Sequence, residues 1–112
     1  MGTSQSNLPA KVVKDGNGKY LRDYKVREFL GKIKEEEMEF EAEILKYHNL
    51  DSVPTCLDEP NDEIKMAIAG EACDIITSVY NACRHMFISD SMMEAAMSNT
   101  IEKVKSRGYT SY

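Results

Sequence analysis

The densest chemistry in the chain is a run of six glutamates within nine residues, Glu35 to Glu43. Inside it Glu36 and Glu39 stand three apart, and further along Glu71 and Asp74 repeat that spacing. Positions three apart share a helix face, so each pair can aim two carboxylates at one point. Carboxylate oxygens without cysteine or histidine suit a hard divalent ion, Mg2+ or Mn2+. A Glu-x-x-His pair, as carboxylate-bridged iron would need, is absent, as is the loop pattern of an EF-hand. An acidic run is ordinarily a solvated face. Glu59/Asp62 has the same form, but Pro60 makes it a poor platform. Glu71/Asp74, in contrast, interrupts the most apolar helical stretch of the chain, where charges are costly without a purpose.

The elements that must carry these acids are helical. From about Asp23, Val26, Phe29, Leu30, Ile33, Phe40, Ile44 and Tyr47 recur at three and four residues until near Asn49. Residues 50–61 hold Pro54 and Pro60 among acids and Asn61, and read as a loop. A second helix is predicted from Asn61 or Asp62 to about Phe87, with Ile64, Ile68, Ala72, Ile75, Val79, Ala82, Cys83 and Met86 as its stripe. A third begins at Ser89–Ser91, where Ser91 and Glu94 have capping-box spacing, and ends at Gly108. Ahead of the helices, residues 1–10 are small and polar and read as disordered. Lys11–Tyr20 carries an Asp-Gly-Asn-Gly turn signal that suits either a small hairpin or a loose lead-in. The expected organisation is therefore a flexible or hairpin segment over 1–20 and a helical domain over 21–112. The fold class is all-α, a helical bundle built on an antiparallel pair plus a third helix.

Helical geometry relates the two pairs. At about 100° per residue, with Ile33 as the centre of the first stripe, Glu36 lies at about -60° and Glu39 at about -120°. Centring the second helix on Ile68 gives Glu71 and Asp74 the same two offsets, about -60° and about -120°. Antiparallel helices packed seam to seam bring equal offsets out on the same side, so all four carboxylates are expected along one groove. Glu37 falls within the apolar stripe, which this reasoning does not explain. Four carboxylates together repel, and burying them unpaired is costly, so a cation is the natural partner. On the third helix Asn99, Lys103 and Arg107, spaced by four, form one row beside Met97, Ile101 and Val104. That row is either a polar edge with cations near a C-terminus or a clamp for phosphate oxygens.

Composition narrows the classes. The 112 residues with a formal net charge of -5 are one acidic domain, a poor binder of nucleic acid through its phosphates. No apolar run approaches a membrane span and no signal peptide is evident, so a cytoplasmic location without membrane contact is expected. Three cysteines, Cys56, Cys73 and Cys83, lack CxxC spacing and read as reduced thiols. Neither His48 nor His85 sits at zinc-ligand spacing with a cysteine pair.

The segments Ile33-Lys34-Glu35-Glu36-Glu37-Met38-Glu39-Phe40, Glu71-Ala72-Cys73-Asp74-Ile75-Ile76 and Asn99-x3-Lys103-x3-Arg107-Gly108-Tyr109, in that order, resemble the MazG-like all-α nucleoside triphosphate pyrophosphohydrolases. The resemblance spans roughly residues 22–109. It implies a helical bundle assembled as a homodimer or homotetramer, with active sites completed near the subunit interface. It implies Glu36, Glu39, Glu71 and Asp74 as Mg2+ ligands, Glu36 and Glu39 also in catalysis, and Asn99, Lys103 and Arg107 as substrate contacts. The implied reaction is water attack on the α-phosphorus of a (deoxy)nucleoside triphosphate, releasing pyrophosphate and a monophosphate, with Glu35 or Glu43 a candidate base. Where the family often has Gly-Asp this chain has Cys73-Asp74, which bears on packing more than on ligation. Two other readings compete: a non-catalytic helical adaptor with an adaptable methionine-rich surface, and a phosphoribosyl-nucleotide pyrophosphohydrolase.

Overall fold

The computed structural model describes residues 8–109, and the expectation of disorder for residues 1–7 lies outside that range. Among the described residues the chain is all-helical. A short 3-10 turn, Leu21–Asp23, precedes α1 (Val26–Leu45), a second such turn (Pro54–Cys56) lies in the connecting loop, and α2 (Asp62–Arg84) and α3 (Asp90–Ser106) follow. No helix of the described residues is long and apolar enough to cross a membrane, and Cys56, Cys73 and Cys83 are free thiols.

Local chemistry explains the boundaries. The Asn61 side chain accepts from the Ile64 amide at 3.0 Å and starts α2 where the sequence predicts. For α3 the cap is Ser89, whose hydroxyl accepts from the Met92 amide, rather than the Ser91/Glu94 box. Gly108, at φ +82°, ends α3. Its amide bonds Lys105 and that of Tyr109 bonds Val104, the paired closure that favours a residue without a Cβ. Beyond α2 the same paired closure, Phe87 to Arg84 and Ile88 to Cys83, forces Phe87 to φ +63°. An exposed phenylalanine thus occupies a left-handed position that glycine usually fills.

The helices α1 and α2 pack antiparallel. Phe29, near the start of α1, meets His85, just past the end of α2, at 5.5 Å between rings. The core at that end is Leu21, Phe29 and Ala82, with Val12, Tyr24 and Ile33 against them. The seam of α1 runs through Phe29, Ile33, Glu36, Phe40 and Glu43, while Val26, Leu30 and Glu37 are exposed. On α2 it runs through Ile64, Ile68, Glu71, Ile75, Ser78 and Ala82. Both seams are therefore turned from the sequence-derived centre by about 30–40° toward the acidic side, at about 100° per residue. This places Glu37 in solvent, which resolves its awkward position within the predicted stripe.

The third helix does not complete a bundle within the chain. The α1–α2 pair is the extensive helix packing among the described residues, and α3 buries no residue. Its N-terminus is moored by Asp90, which accepts from the Tyr80 hydroxyl at 2.6 Å and pairs with Lys11 at 3.2 Å.

Residues 10–21 pack onto the helix pair. The Asp-Gly-Asn-Gly signal makes a tight turn closed by an antiparallel bridge between Lys14 and Tyr20, so the hairpin alternative describes it better than a loose lead-in. Asn81, 3% exposed, fastens the segment. Its Oδ1 accepts from the Val12 amide at 2.8 Å and its Nδ2 donates to the Ala10 carbonyl at 2.9 Å.

Candidate functional site

The seam rotation separates the four predicted ligands into two kinds. Glu36 lies in the interface, 7% exposed, and Glu71 is half-buried beside it. Asp74 and Glu39 stand at the exposed rim. Oxygens of Glu36, Glu71 and Asp74 lie within 4.8 Å of one another, a spacing that one cation could bridge. Glu39 does not join that trio but remains electrostatically tied to it. The Glu36 carboxyl beside it, with burial, Glu71 and Glu35 adding to the effect, holds Glu39 above the ordinary carboxylate value.

The internal counter-ion is Lys32. Its Nζ is 2.8 Å from Glu36 Oε1 and 3.8 Å from Glu35. This pairing draws the Glu36 carboxyl below its ordinary value against the opposing effect of burial. Lys32 satisfies only one Glu36 oxygen. Oε2 of Glu36 and Oε2 of Glu71 are both buried without a hydrogen-bond partner. Two such acceptors beside a third carboxylate form a negative pocket with unmet capacity. All-oxygen, multiply anionic donors are the ligand chemistry of Mg2+ or Mn2+, so the residues present fit the ion that the sequence implies.

The remaining acids differ in placement. Glu35 reaches the same cavity as Glu36, described below. Glu43 is turned to Lys46, 2.8 Å away, with 13% of its side chain exposed. Of the two candidate bases, Glu35 is therefore the one that lines the cavity with Glu36 and Asp74. Asn99, Lys103 and Arg107 are exposed along α3 and do not line this cavity. Within one chain the predicted cationic clamp and the acidic groove are not brought together, because α3 leaves α2 without packing back over it.

What the sequence reading missed is the N-terminal segment. A cavity of about 540 Å³ adjoins the acidic trio through Glu36 and Asp74, and the 14–17 turn forms part of its lining. Lys14 and Lys32 are its cations and Tyr24 and Phe29 its aromatic lining. The Asp-Gly-Asn-Gly motif was the available signal, but nothing local in it says which helix it packs against.

No protein-family model matches the chain, and no curated protein and no solved structure matches it.

Proposed function

We propose that this chain is a MazG-like, Mg2+-dependent nucleotide pyrophosphohydrolase that cleaves a (deoxy)nucleoside triphosphate to the monophosphate and pyrophosphate. The observation that carries the reading is Glu36: a carboxylate 7% exposed, one oxygen unpartnered, with Glu71 and Asp74 oxygens within 4.8 Å. Such an arrangement costs stability unless a cation completes it. The Mg2+ would offset phosphate charge and activate water there. Glu36, Glu71 and Asp74 would hold the ion, with Glu39 at the rim able to swing in or to take a proton from solvent. Lys32 would exchange its Glu36 partner for a phosphate oxygen, and Glu35, on the same cavity, is placed to orient the attacking water.

The reading includes assembly with a second copy. Along α3 an apolar stripe stands open to solvent, with Met97 and Ile101 each 57% exposed. A homodimer or homotetramer that buries this stripe could also bring Asn99, Lys103 and Arg107 over a neighbour's acidic groove.

The test supplies a panel of nucleoside triphosphates, and one phosphoribosyl-nucleotide, with Mg2+ and measures pyrophosphate release. Release from a triphosphate that Glu71→Gln abolishes is the expected result. Equal, background-level release by the wild type and Glu71→Gln on every compound refutes the enzyme and leaves the adaptor, for which the exposed α3 face is the supporting feature.

A further inference from the structure

The cavity beside the acidic trio is bounded by a surface turn that is unusually well tied down. Asp15 Oδ1 accepts from the amides of Asn17 and Lys19 at 2.8 and 2.9 Å, and its Oδ2 accepts from the Tyr24 hydroxyl at 2.6 Å. Gly18 takes φ +83°, which lets the chain reverse. Leu21 N bonds Val13 O at 2.9 Å, and Asn81 clamps the segment ahead of the turn. A glycine-rich turn would ordinarily stay mobile; this one is fixed at both ends and through its middle. Fixing a loop ahead of binding removes an ordering cost that a ligand would otherwise meet.

The space beside it is lined by two chemically different sets of groups. Glu36 and Asp74 are carboxylates, while Leu21, Tyr24 and Phe29 bring apolar and aromatic surface, with the side chains of Asn17 and Ser78 in the same lining. Neither of those two polar groups has a partner among the described residues, whereas Asp15, Asn81 and Thr77 in the same wall are all engaged. A cavity of about 540 Å³ lined by both apolar and polar groups, two of the polar ones unengaged, has the size of a small-ligand site.

We propose that the turn at residues 14–18, with Ser78 of α2, forms the nucleoside end of the substrate site, Asn17 and Ser78 hydrogen-bonding the base or sugar over the Tyr24–Phe29 surface. This assignment rests on the pyrophosphohydrolase reading and adds to it the residues that choose the nucleoside. It runs the substrate along the cavity, phosphates toward Glu36 and Asp74, nucleoside toward the N-terminal turn. Asp15 and Asn81 are positioning residues that hold this wall in place.

The experiment follows backbone amide NMR shifts of the full chain in Mg2+ as α,β-imido analogues of dUTP, dCTP, dTTP, dATP and dGTP are added. Inorganic tripolyphosphate is the probe that lacks a nucleoside. At least one analogue is expected to shift Gly16, Asn17, Gly18 and Ser78, and tripolyphosphate to leave those four in place. Asn17→Ala and Ser78→Ala should each weaken that analogue roughly 2- to 10-fold, the loss of one hydrogen bond, with Mn2+ affinity unchanged. An analogue that binds without moving Gly16–Gly18, or tripolyphosphate moving them equally, overturns the nucleoside assignment alone. Failure of every analogue to bind, with Mn2+ still bound, overturns the nucleotide reading with it.

Discussion

Replacing Glu71 by glutamine keeps its shape and removes one charge from the acidic trio. At 4.8 Å, the outer limit of the oxygen separations, two unit charges repel by about 3 kcal/mol at an effective dielectric of 20 and about 1 kcal/mol in bulk water. Glu71 is half-buried, Asp74 is exposed, and Lys32 offsets part of the Glu36 charge. The lower part of that range therefore applies, about 1–2 kcal/mol. For a domain of this size each kcal/mol moves the melting temperature by about 5 °C, so Glu71→Gln should melt about 5–10 °C above the wild type in EDTA. Adding Mg2+ at ten times its dissociation constant stabilises the wild type by about 1.4 kcal/mol. The variant, having lost a ligand, should gain much less, so the gap narrows or closes. Thermal melts of wild type, Glu71→Gln and the exposed-face control Glu37→Gln, each with EDTA and with Mg2+, check this. If Glu71→Gln melts with or below the wild type in EDTA, and Mg2+ raises all three equally, the trio is neither strained nor a cation site.

Three other outcomes follow from the geometry. Lys32→Met should lower stability in EDTA by about 1 kcal/mol, a half-exposed ion pair's worth, and should enlarge the Mg2+-induced rise in melting temperature, because the ion no longer competes with an internal cation. Phe87→Gly should raise the unfolding free energy read from urea denaturation by about 0.5–1 kcal/mol, since glycine tolerates the left-handed backbone at no steric cost and Phe87, 96% exposed, loses no packing. Asp15 pushes the Tyr24 hydroxyl up from 10.0 to about 12. The folded state thus holds that proton more tightly than the unfolded state. The stability from this pair is complete below pH 10 and is lost as pH rises through about 12. An alkaline denaturation series should show a larger loss in the wild type than in Tyr24→Phe, which keeps the Tyr80 hydroxyl that Asp90 also raises.

Much of this was legible locally. Apolar residues at three- and four-residue spacing marked all three helices. Asn61 and Gly108 marked their boundaries as short-range hydrogen bonding requires, whereas Ser89 displaced Ser91 because either serine can reach an amide three residues on. The shared spacing of Glu36/Glu39 and Glu71/Asp74 was enough to place them on one side of an antiparallel pair. Their unequal burial was not. It depends on where two seams settle against each other, and a turn of a few tens of degrees put Glu36 and Glu71 inside while leaving Glu39 and Asp74 at the rim.

The remaining differences are questions of long range. Asparagine 81 reads in the sequence as one polar residue on an apolar helix; its hydrogen bonds to Ala10 and Val12 span about seventy residues, and no periodicity encodes that reach. The wall of the cavity is therefore visible only once the chain is folded. The row of Asn99, Lys103 and Arg107 is a local property of α3, but where α3 points is set by its connection through Phe87 and its mooring at Asp90. The sequence alone determined the helices, the Asn61 and Gly108 boundaries and the two acidic pairs, because those follow from spacing along one chain. Tertiary structure decided which carboxylates are buried, which segment closes the cavity, and that the cationic row stands apart from the acidic groove, because each of these depends on packing between elements distant in sequence.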